Sequence, residues 1–267
     1  MPPAPRSPRN AYVGSPIKRL EDARLLPGRG RFVDDLKLPG MLHAAILRSP
    51  IAHGVLKSID TGAADAMPGV HAVITAANLP DQIPCVPLRL MPMEELTPLA
   101  QPVMARSKLR YVGEALAVVL ADSAARAEDA LAAIAVDIEP LAAVACSKDA
   151  LTGTSLLFEG WGSNEAITYT ASKGETDPAF AGAAYVRRER FATQRHLALP
   201  MEARGVLADW DEASQRLTIH GAAKVPFANR KILAAMIGLP EASIEMIEND
   251  VGGGFGARGE FFAEDFL

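Results

Sequence analysis

Four glycines fall within five positions near the end of this 267-residue chain, in the sequence VGGGFGARG at residues 251–259. Residues without a Cβ adopt positive φ readily and allow the backbone to approach another group closely. The segment therefore predicts a tight loop, and a regular helix or strand is not expected to run through it. A large aromatic ring, Phe255, stands among these glycines and has to be accommodated.

Read literally, Gly252, Gly254 and Ala257 fit the G-x-G-x-x-A pattern of a dinucleotide-binding loop. The acidic residue that binds the ribose about 20 positions later has no counterpart, because the sequence ends first. Glu248 and Asp250 would also oppose a pyrophosphate. We therefore expect no nicotinamide or flavin dinucleotide here. Two alternatives stay open: a tight turn without a ligand, or a loop whose amides donate to an anion or an oxo group.

The composition is typical of a packed globular protein, with 49% hydrophobic and 22% charged residues. The net charge of -5 disfavours nucleic acid and acidic lipid as partners. The longest apolar run, residues 115–121, is too short to span a bilayer. Residues 1–13 are basic and proline-rich without a following apolar segment, so they predict a flexible arm and not a secretory signal. These features favour a cytoplasmic protein.

The two cysteines, Cys85 and Cys146, lie 61 positions apart and outside any CxxC or other metal-ligand spacing. A zinc or iron–sulfur site built by this chain alone is therefore not expected. We expect two small buried thiols in a reducing compartment.

The succession of local patterns predicts an α+β fold without an internal repeat. The first half predicts strands and helices in alternation, with no glycine-rich phosphate loop between them. Its strands are expected at 42–47, 70–75, 114–120 and 135–139, and its helices at 63–67 and, after an N-cap at Ser123, at 124–133. The pattern then dissolves at 148–165, which predicts a linker, and its Phe158 and Trp161 predict that it packs against another part of the protein.

The second half begins with a predicted long strand at 184–193 and a turn region at 194–204. A hairpin is then expected at 205–210 and 216–220, followed by a helix at 228–237. A last strand at 243–247 is expected to lead into the glycine loop. The last residues, FFAEDFL at 261–267, would leave an apolar patch in need of cover.

Several ordered motifs resemble one family. The segment NRKILAAMIGLPEASIEMIENDVGGGFG resembles the large, molybdopterin-binding subunit of the xanthine oxidase family, which includes aldehyde oxidases and aerobic carbon monoxide dehydrogenases. Earlier motifs resemble its a/b hammerhead domain: GSP at 14–16, RLED at 19–22, GRGRFVDD at 28–35, LRSP at 47–50 with His53, MPGV at 67–70 and RYVGE at 110–114. FATQRHLALPMEARG at 191–205 resembles the start of the molybdenum domain.

The resemblance runs from residue 14 to the last residue and implies the domain organisation. An a/b hammerhead domain is expected at 14–147, the linker at 148–165, and the first part of the molybdopterin-binding domain at 166–267. The activity implied is that of a molybdenum hydroxylase, acting on an aldehyde, an N-heterocycle or a related small substrate, or on carbon monoxide. The alternative is a non-catalytic assembly or maturation module of the same fold that binds no metal.

The resemblance also assigns candidate site residues. It places Gln194 against an oxo ligand of molybdenum and Phe255 and Gly256 beside the metal, with Gly253 and Gly254 completing the cofactor-binding loop. Neither Gln194 nor Phe255 is a direct metal ligand in this reading, and the chain carries no certain catalytic residue. A neutral amide suits this place, because it donates to an oxo group without adding charge.

The implied cofactor is a molybdenum–pterin shared with a partner chain, in the cytosine dinucleotide form that is usual in bacteria. A 2Fe-2S centre and FAD are expected on partner subunits. The family's large subunit extends far beyond this sequence, so we expect a second chain to complete it or, alternatively, a truncated product. Either way, the isolated chain is expected to be inactive.

Three departures from the family pattern stand out. Ala257 and Arg258 replace the Gly-Lys of many members, as in carbon monoxide dehydrogenase-like branches. The residues at 221–224, GAAK, replace a Ser/Thr-Gln segment, which puts a pterin contact there in doubt. Glu260 and Glu264 do not match the family's catalytic glutamate, which lies in the part that this sequence lacks.

Overall fold

The computed structural model describes residues 12–82, 84–88, 93–221, 225–259 and 261–267. The proposed arm at 1–13 lies almost wholly outside these ranges, as do Glu260 and three of the four residues at 221–224. The strands are β1 (His43–Arg48), β2 (Gly54–Asp60), β3 (Val70–Thr75), β4 (Lys108–Leu109), β5 (Ala115–Ala121), β6 (Ala135–Pro140), β7 (Val206–Asp211), β8 (Arg216–Gly221) and β9 (Ile244–Glu248). The α-helices are α1 (Asp22–Leu25), α2 (Gly62–Asp65), α3 (Ala124–Leu131), α4 (Ser147–Ala150), α5 (Thr176–Ala181) and α6 (Pro226–Ile237).

The first unit, which contains strands β1–β6, is built around the apolar strand β5. It pairs antiparallel with β1 on one side and β3 on the other, and six of its seven residues are buried. Helix α3 lies over one face of this sheet and inserts Ala127 and Ala130, both fully buried. Its first turn is capped by Ser123, whose hydroxyl accepts the Arg126 N–H at 3.3 Å. The predicted strands, the helix and its cap are thereby confirmed.

A second sheet of the first unit has the strand order β4-β2-β6. Strand β2 was not predicted, because Lys57 and Ser58 interrupt its apolar alternation. The sheet covers a core that contains Leu56, Leu109 and Leu116. This second core gives the unit apolar packing on both faces of β5.

Residues 155–159 of the predicted linker lie against the first unit. The Lys108 ammonium donates to the Leu156 carbonyl at 2.8 Å and pairs with the Glu159 carboxylate. The Arg110 guanidinium stacks over the Phe158 ring, 4.6 Å from its centroid. This part of the segment is therefore docked and is not a free tether.

The second unit, which contains strands β7–β9, is a hairpin followed by a helical crossover to a parallel strand. β7 pairs antiparallel with β8, and α6 returns the chain so that β9 runs parallel to β8. Helix α6 begins with a proline and ends at Gly238, which has φ +73°. Its Leu233 packs on Ile219 and Ile244 of the strands. The predicted hairpin, helix and last strand are confirmed.

Two expectations are wrong. Residues 184–193 form no strand, because none of the residues that the structure describes supplies a hydrogen-bonding partner, and Tyr185 and Phe191 are exposed. Cys85 and Cys146 are both exposed and not buried. Both lie on irregular surface segments, where neighbouring prolines and alanines do not enclose a side chain.

The apolar residues at the end of the sequence are largely covered by the chain itself, contrary to expectation. Phe261 is buried in the core of the second unit, with Ile219 and Leu233, and lies edge-on to Phe266 with ring centroids 5.6 Å apart. Phe266 and Leu267 reach the first unit and pack on a cluster that contains Met104. The Arg204 guanidinium covers the Phe262 ring at 3.5 Å. The turn Ala263–Phe266 therefore joins the core of the second unit to the Met104 cluster of the first.

Candidate functional site

The glycine loop begins where β9 ends, and its first anchor is Asp250. The Arg24 guanidinium donates to both oxygens of this carboxylate, with Nη2 to Oδ1 at 2.7 Å. The Arg31 N–H donates to Oδ2 at 2.7 Å, and the Asp250 N–H donates back to the Arg31 carbonyl at 3.1 Å. The bonds from Arg24, with that from Arg31, lower the pKa of Asp250 to about 2. The charge that we expected to oppose a bound anion is therefore paired with Arg24.

The second anchor is Glu202, from the segment that precedes β7. Its Oε2 accepts the Gly252 N–H at 2.8 Å and the Arg258 Nη1 at 2.5 Å. A Cβ added to Gly252 would lie 2.4 Å from the Cβ of Glu202, so only glycine fits this contact. The loop is thus held at both of its ends.

Between these anchors the backbone makes a tight turn. The Ala257 N–H donates to the Gly254 carbonyl at 2.8 Å, and the two central residues, Phe255 and Gly256, have φ of +46° and +85°. Positive φ at both positions is typical of a type I′ turn and is unusual for phenylalanine. The Phe255 ring is 76% exposed. The turn therefore presents its aromatic side chain outward.

The loop also presents unpaired backbone donors. The N–H groups of Gly252 and Ala257 are bonded, whereas those of the four residues between them, 253–256, have no acceptor among the described residues. A Cβ at Gly254 or Gly256 would meet no atom within 4 Å, so the space beside the turn is open. Successive free amides that border an open space form a concavity suited to an anion or an oxo group.

Gln194 is exposed within the irregular segment 183–205, and it makes no hydrogen bond with this loop or with any other residue that the structure describes. The segment instead meets the loop further along. Pro200 lies beside the loop, since a Cβ added to Gly253 would be 3.2 Å from the Cβ of Pro200. Glu202 follows two positions later.

Sequence reasoning missed the residues that hold the loop, namely Arg24, Glu202 and Arg258. Arg258 was noted only as a departure from a family pattern, yet its side chain is just 3% exposed. Each partner lies at least 50 positions from the atoms it binds, so no local spacing reveals the pairs. The one signal in the sequence was Arg258 itself, because a charged residue in a glycine-rich, closely packed segment needs a partner.

Glu264 is engaged in the structure, because it pairs with Arg48 at 3.0 Å and with Arg204 at 3.7 Å. In the described part of the chain, no group of three or more His, Cys, Asp or Glu side chains could hold a metal ion. Within the same residues, no helix is long and apolar enough to cross a membrane. The loop accordingly offers N–H donors and no metal-ligating side chains.

Comparison with known proteins identifies both units. Residues 27–142 match the family model for the aldehyde oxidase and xanthine dehydrogenase a/b hammerhead domain, and residues 159–267 match that for the molybdopterin cofactor-binding domain. The α+β fold predicted from the sequence, a hammerhead domain followed by part of a cofactor-binding domain, is confirmed.

Individual relatives agree with these matches. The chain is 36% identical to the nicotine 6-hydroxylase large subunit of Paenarthrobacter nicotinovorans, over 96% of this chain and 31% of the relative. It is 36% identical to the carbon monoxide dehydrogenase large chain of Hydrogenophaga pseudoflava, over 89% and 31%. The crystal structure of quinoline 2-oxidoreductase from Pseudomonas putida 86 superposes with a TM-score of 0.86 and 39% identity, over 94% of this chain and 32% of that one.

A hammerhead domain joined to a molybdopterin cofactor-binding domain defines the class of molybdenum-binding oxidoreductase subunits. The chain belongs to the xanthine oxidase family, as an N-terminal portion of its molybdenum-binding subunit. It spans about a third of the length of the relatives that it matches.

Proposed function

We propose that this chain is the N-terminal part of the molybdenum-binding subunit of a molybdenum hydroxylase. Its hammerhead domain would comprise residues 14–147, its linker 148–165, and its share of the cofactor-binding domain 166–267. The observation that carries the proposal is the row of amides at 253–256, which have no acceptor among the described residues and border an open space in a loop held at both of its ends.

The residues of the loop fit a molybdenum–pterin group. Oxo oxygens are acceptors without protons, so neutral N–H donors bind them at no cost in charge. The amides of Phe255 and Gly256 would donate to such an oxygen, and Gly254 would leave room for the group because a Cβ there meets no atom within 4 Å. Gly253 would complete the loop by accommodating the Phe255 ring, since a Cβ on Gly253 would lie 2.8 Å from Cε2 of that ring. The exposed Phe255 ring would be covered by the bound group and would keep water from its vicinity.

When bound, the molybdenum–pterin supplies the two-electron oxidation of the substrate. The part of this chain is to bind and orient the group. We propose that Gln194 provides a further amide donor to the same oxo oxygen, which requires residues 183–199 to pack towards the loop that Pro200 and Glu202 already contact. The apolar side chains of that segment favour such folding, since Leu197 and Leu199 are at least 80% exposed as they stand.

The complete enzyme would be a cytoplasmic heteromer. Relatives are named as a large subunit, a large chain and a subunit of a complex, which supports partner subunits for this chain too. We propose that these carry the 2Fe-2S centre and FAD, that the pterin is in its cytosine dinucleotide form, and that the rest of the cofactor site is shared with a partner chain. The substrate would be an aldehyde, an N-heterocycle or carbon monoxide.

The test begins with purification of the chain together with the subunits that accompany it. Molybdenum and oxidised-pterin fluorescence are measured in the complex, and turnover is compared for Gln194→Ala and Gly254→Ala. We expect both variants to assemble and to lose most of the turnover. The matched control is Gly160→Ala, because a Cβ there also meets no atom within 4 Å but lies in the turn Glu159–Trp161 and not in the glycine loop.

Two outcomes would overturn the proposal. A complex without molybdenum or pterin would favour the alternative, a non-catalytic assembly module of the same fold. Unchanged turnover in both Gln194→Ala and Gly254→Ala would show that the loop and the glutamine do not serve the reaction.

A further inference from the structure

One carboxylate spans the whole glycine loop. Glu202 Oε2 accepts the N–H of Gly252 at the beginning of the loop and the Nη1 of Arg258 at its end, at 2.8 and 2.5 Å. The backbone of Glu202 adds to this contact, since its N–H donates to the Gly252 carbonyl at 3.3 Å and its carbonyl accepts from Arg258 Nη2. The same Nη2 donates to the Ala203 carbonyl at 3.1 Å.

These groups are withdrawn from water. The side chains of Arg258 and Glu202 are 3% and 15% exposed. Removing an ion from water is costly unless it is paired and hydrogen-bonded, so the guanidinium is held to one geometry. Glu202 is also the only acidic side chain that pairs with Arg258 within the ranges that the structure describes. The position of Arg258 is therefore set by Glu202.

We propose that Glu202 and Arg258 are a positioning pair that fixes the conformation of the glycine loop. Neither side chain comes within 4 Å of the place that a Cβ on Gly254 or Gly256 would take, so both act through the backbone between them. By holding the two ends of the loop, the pair keeps the backbone of 253–256 in its tight turn. Its consequence for turnover rests on the function proposed above, but its effect on the loop does not.

The chemistry of arginine is required for this role. A guanidinium donates through several N–H groups in a fixed plane, which lets Arg258 bind the carboxylate and two carbonyls at once. A lysine would keep the charge but donate from a single nitrogen. We therefore expect Arg258→Lys to retain the fold and to loosen the loop only partly.

The experiment measures amide hydrogen exchange of residues 252–258 in the full chain with the subunits that accompany it. The main variant is Glu202→Ala/Arg258→Met, which removes both charges together and leaves no unpaired ion in the interior. We expect the Gly252 amide to exchange about tenfold faster or more, as loss of a charge-assisted hydrogen bond predicts. Arg258→Lys should give a smaller increase.

The matched control is Arg216→Met/Glu245→Ala. This pair lies in the same unit, between β8 and β9, but it is about half exposed with its atoms 3.5 Å apart. Its loss should leave exchange in the loop unchanged. Circular dichroism of each variant checks that the fold is retained, and Arg258→Lys decides the result if the double variant does not fold.

Unchanged exchange at 252–258 in a folded variant would overturn the proposal. Turnover and molybdenum content of the same variants test the separate question of what the loop does. A loosened loop with undiminished turnover would support the positioning pair and contradict the proposed role of the loop at the molybdenum site.

Discussion

In the first unit, the apolar strand β5 is paired on both sides and packed on both faces, so that six of its seven residues are buried. In the second unit, the segment 183–205 contains comparable apolar residues but forms no ladder with the described residues. Phe191, Leu197 and Met201 are more than 80% exposed. Both regions contain apolar side chains whose burial would be favourable. Only in the first unit do packing partners lie close enough to bury them.

The largest expected effect on stability comes from replacing one leucine by alanine in each of the two regions. Leu116→Ala, at a side chain 1% exposed in β5, should lower the free energy of unfolding by about 2–5 kcal/mol. Leu199→Ala, at a side chain 80% exposed, should change it by less than about 0.5 kcal/mol. Urea unfolding of the chain measures both. A comparable loss in Leu199→Ala would mean that segment 183–205 is packed in solution, and the contrast would fail.

The same contrast between packed and open positions exists within the glycine loop. Gly252→Ala brings a Cβ to 2.4 Å from the Cβ of Glu202 and should cost about 1–3 kcal/mol of stability through overpacking. Gly254→Ala meets no atom within 4 Å and should leave stability nearly unchanged. Thermal unfolding compares the two variants. Equal melting temperatures would show that the Glu202 contact is looser than the structure has it.

The smallest expected effect concerns the anchor between the first residues of the chain and the loop. The pKa of Asp250 is lowered to about 2, below its ordinary value near 4, chiefly by Arg24. A carboxylate whose pKa is lower in the folded state stabilises the fold above its unfolded pKa, and this contribution is lost as the pH falls from about 4 through about 2.

The test compares the wild-type chain with Asp250→Asn between pH 6 and pH 2. The difference in the urea midpoint should be constant above about pH 5 and should shrink as the pH falls through the window. Because both proteins share every other titrating group, the difference isolates Asp250. A difference that stays constant down to pH 2 would mean that the Arg24 bond does not form in solution.

Features set by neighbours in sequence could be predicted. The apolar run of β5, the cap at Ser123 and the glycine that ends α6 act within a few residues, and each was placed correctly. The tight loop at 251–259 could be predicted from its glycines for the same reason. The fold class was then reached by combining such local features with a resemblance that runs along the sequence.

Features set by distant partners could not be predicted. The apolar pattern at 184–193 is typical of a strand, but a strand also needs a ladder partner that local sequence does not specify. Glu202 and Arg258 lie 56 positions apart, and nothing in the PMEAR segment indicates which cation its acid will meet. Strand β2 was missed because Lys57 and Ser58 face out of a sheet whose other strands are remote in sequence.

The bond from Arg24 to Asp250 joins residues 226 positions apart, and this separation has a consequence for the order of folding. Closing so long a stretch of chain costs entropy that only prior folding of the intervening residues reduces. We therefore expect the sheets of the first unit to form early and the glycine loop to become ordered last. A nascent chain would thus gain its row of amide donors only after the scaffold behind them is complete. A cofactor that binds as we propose would then be inserted after folding.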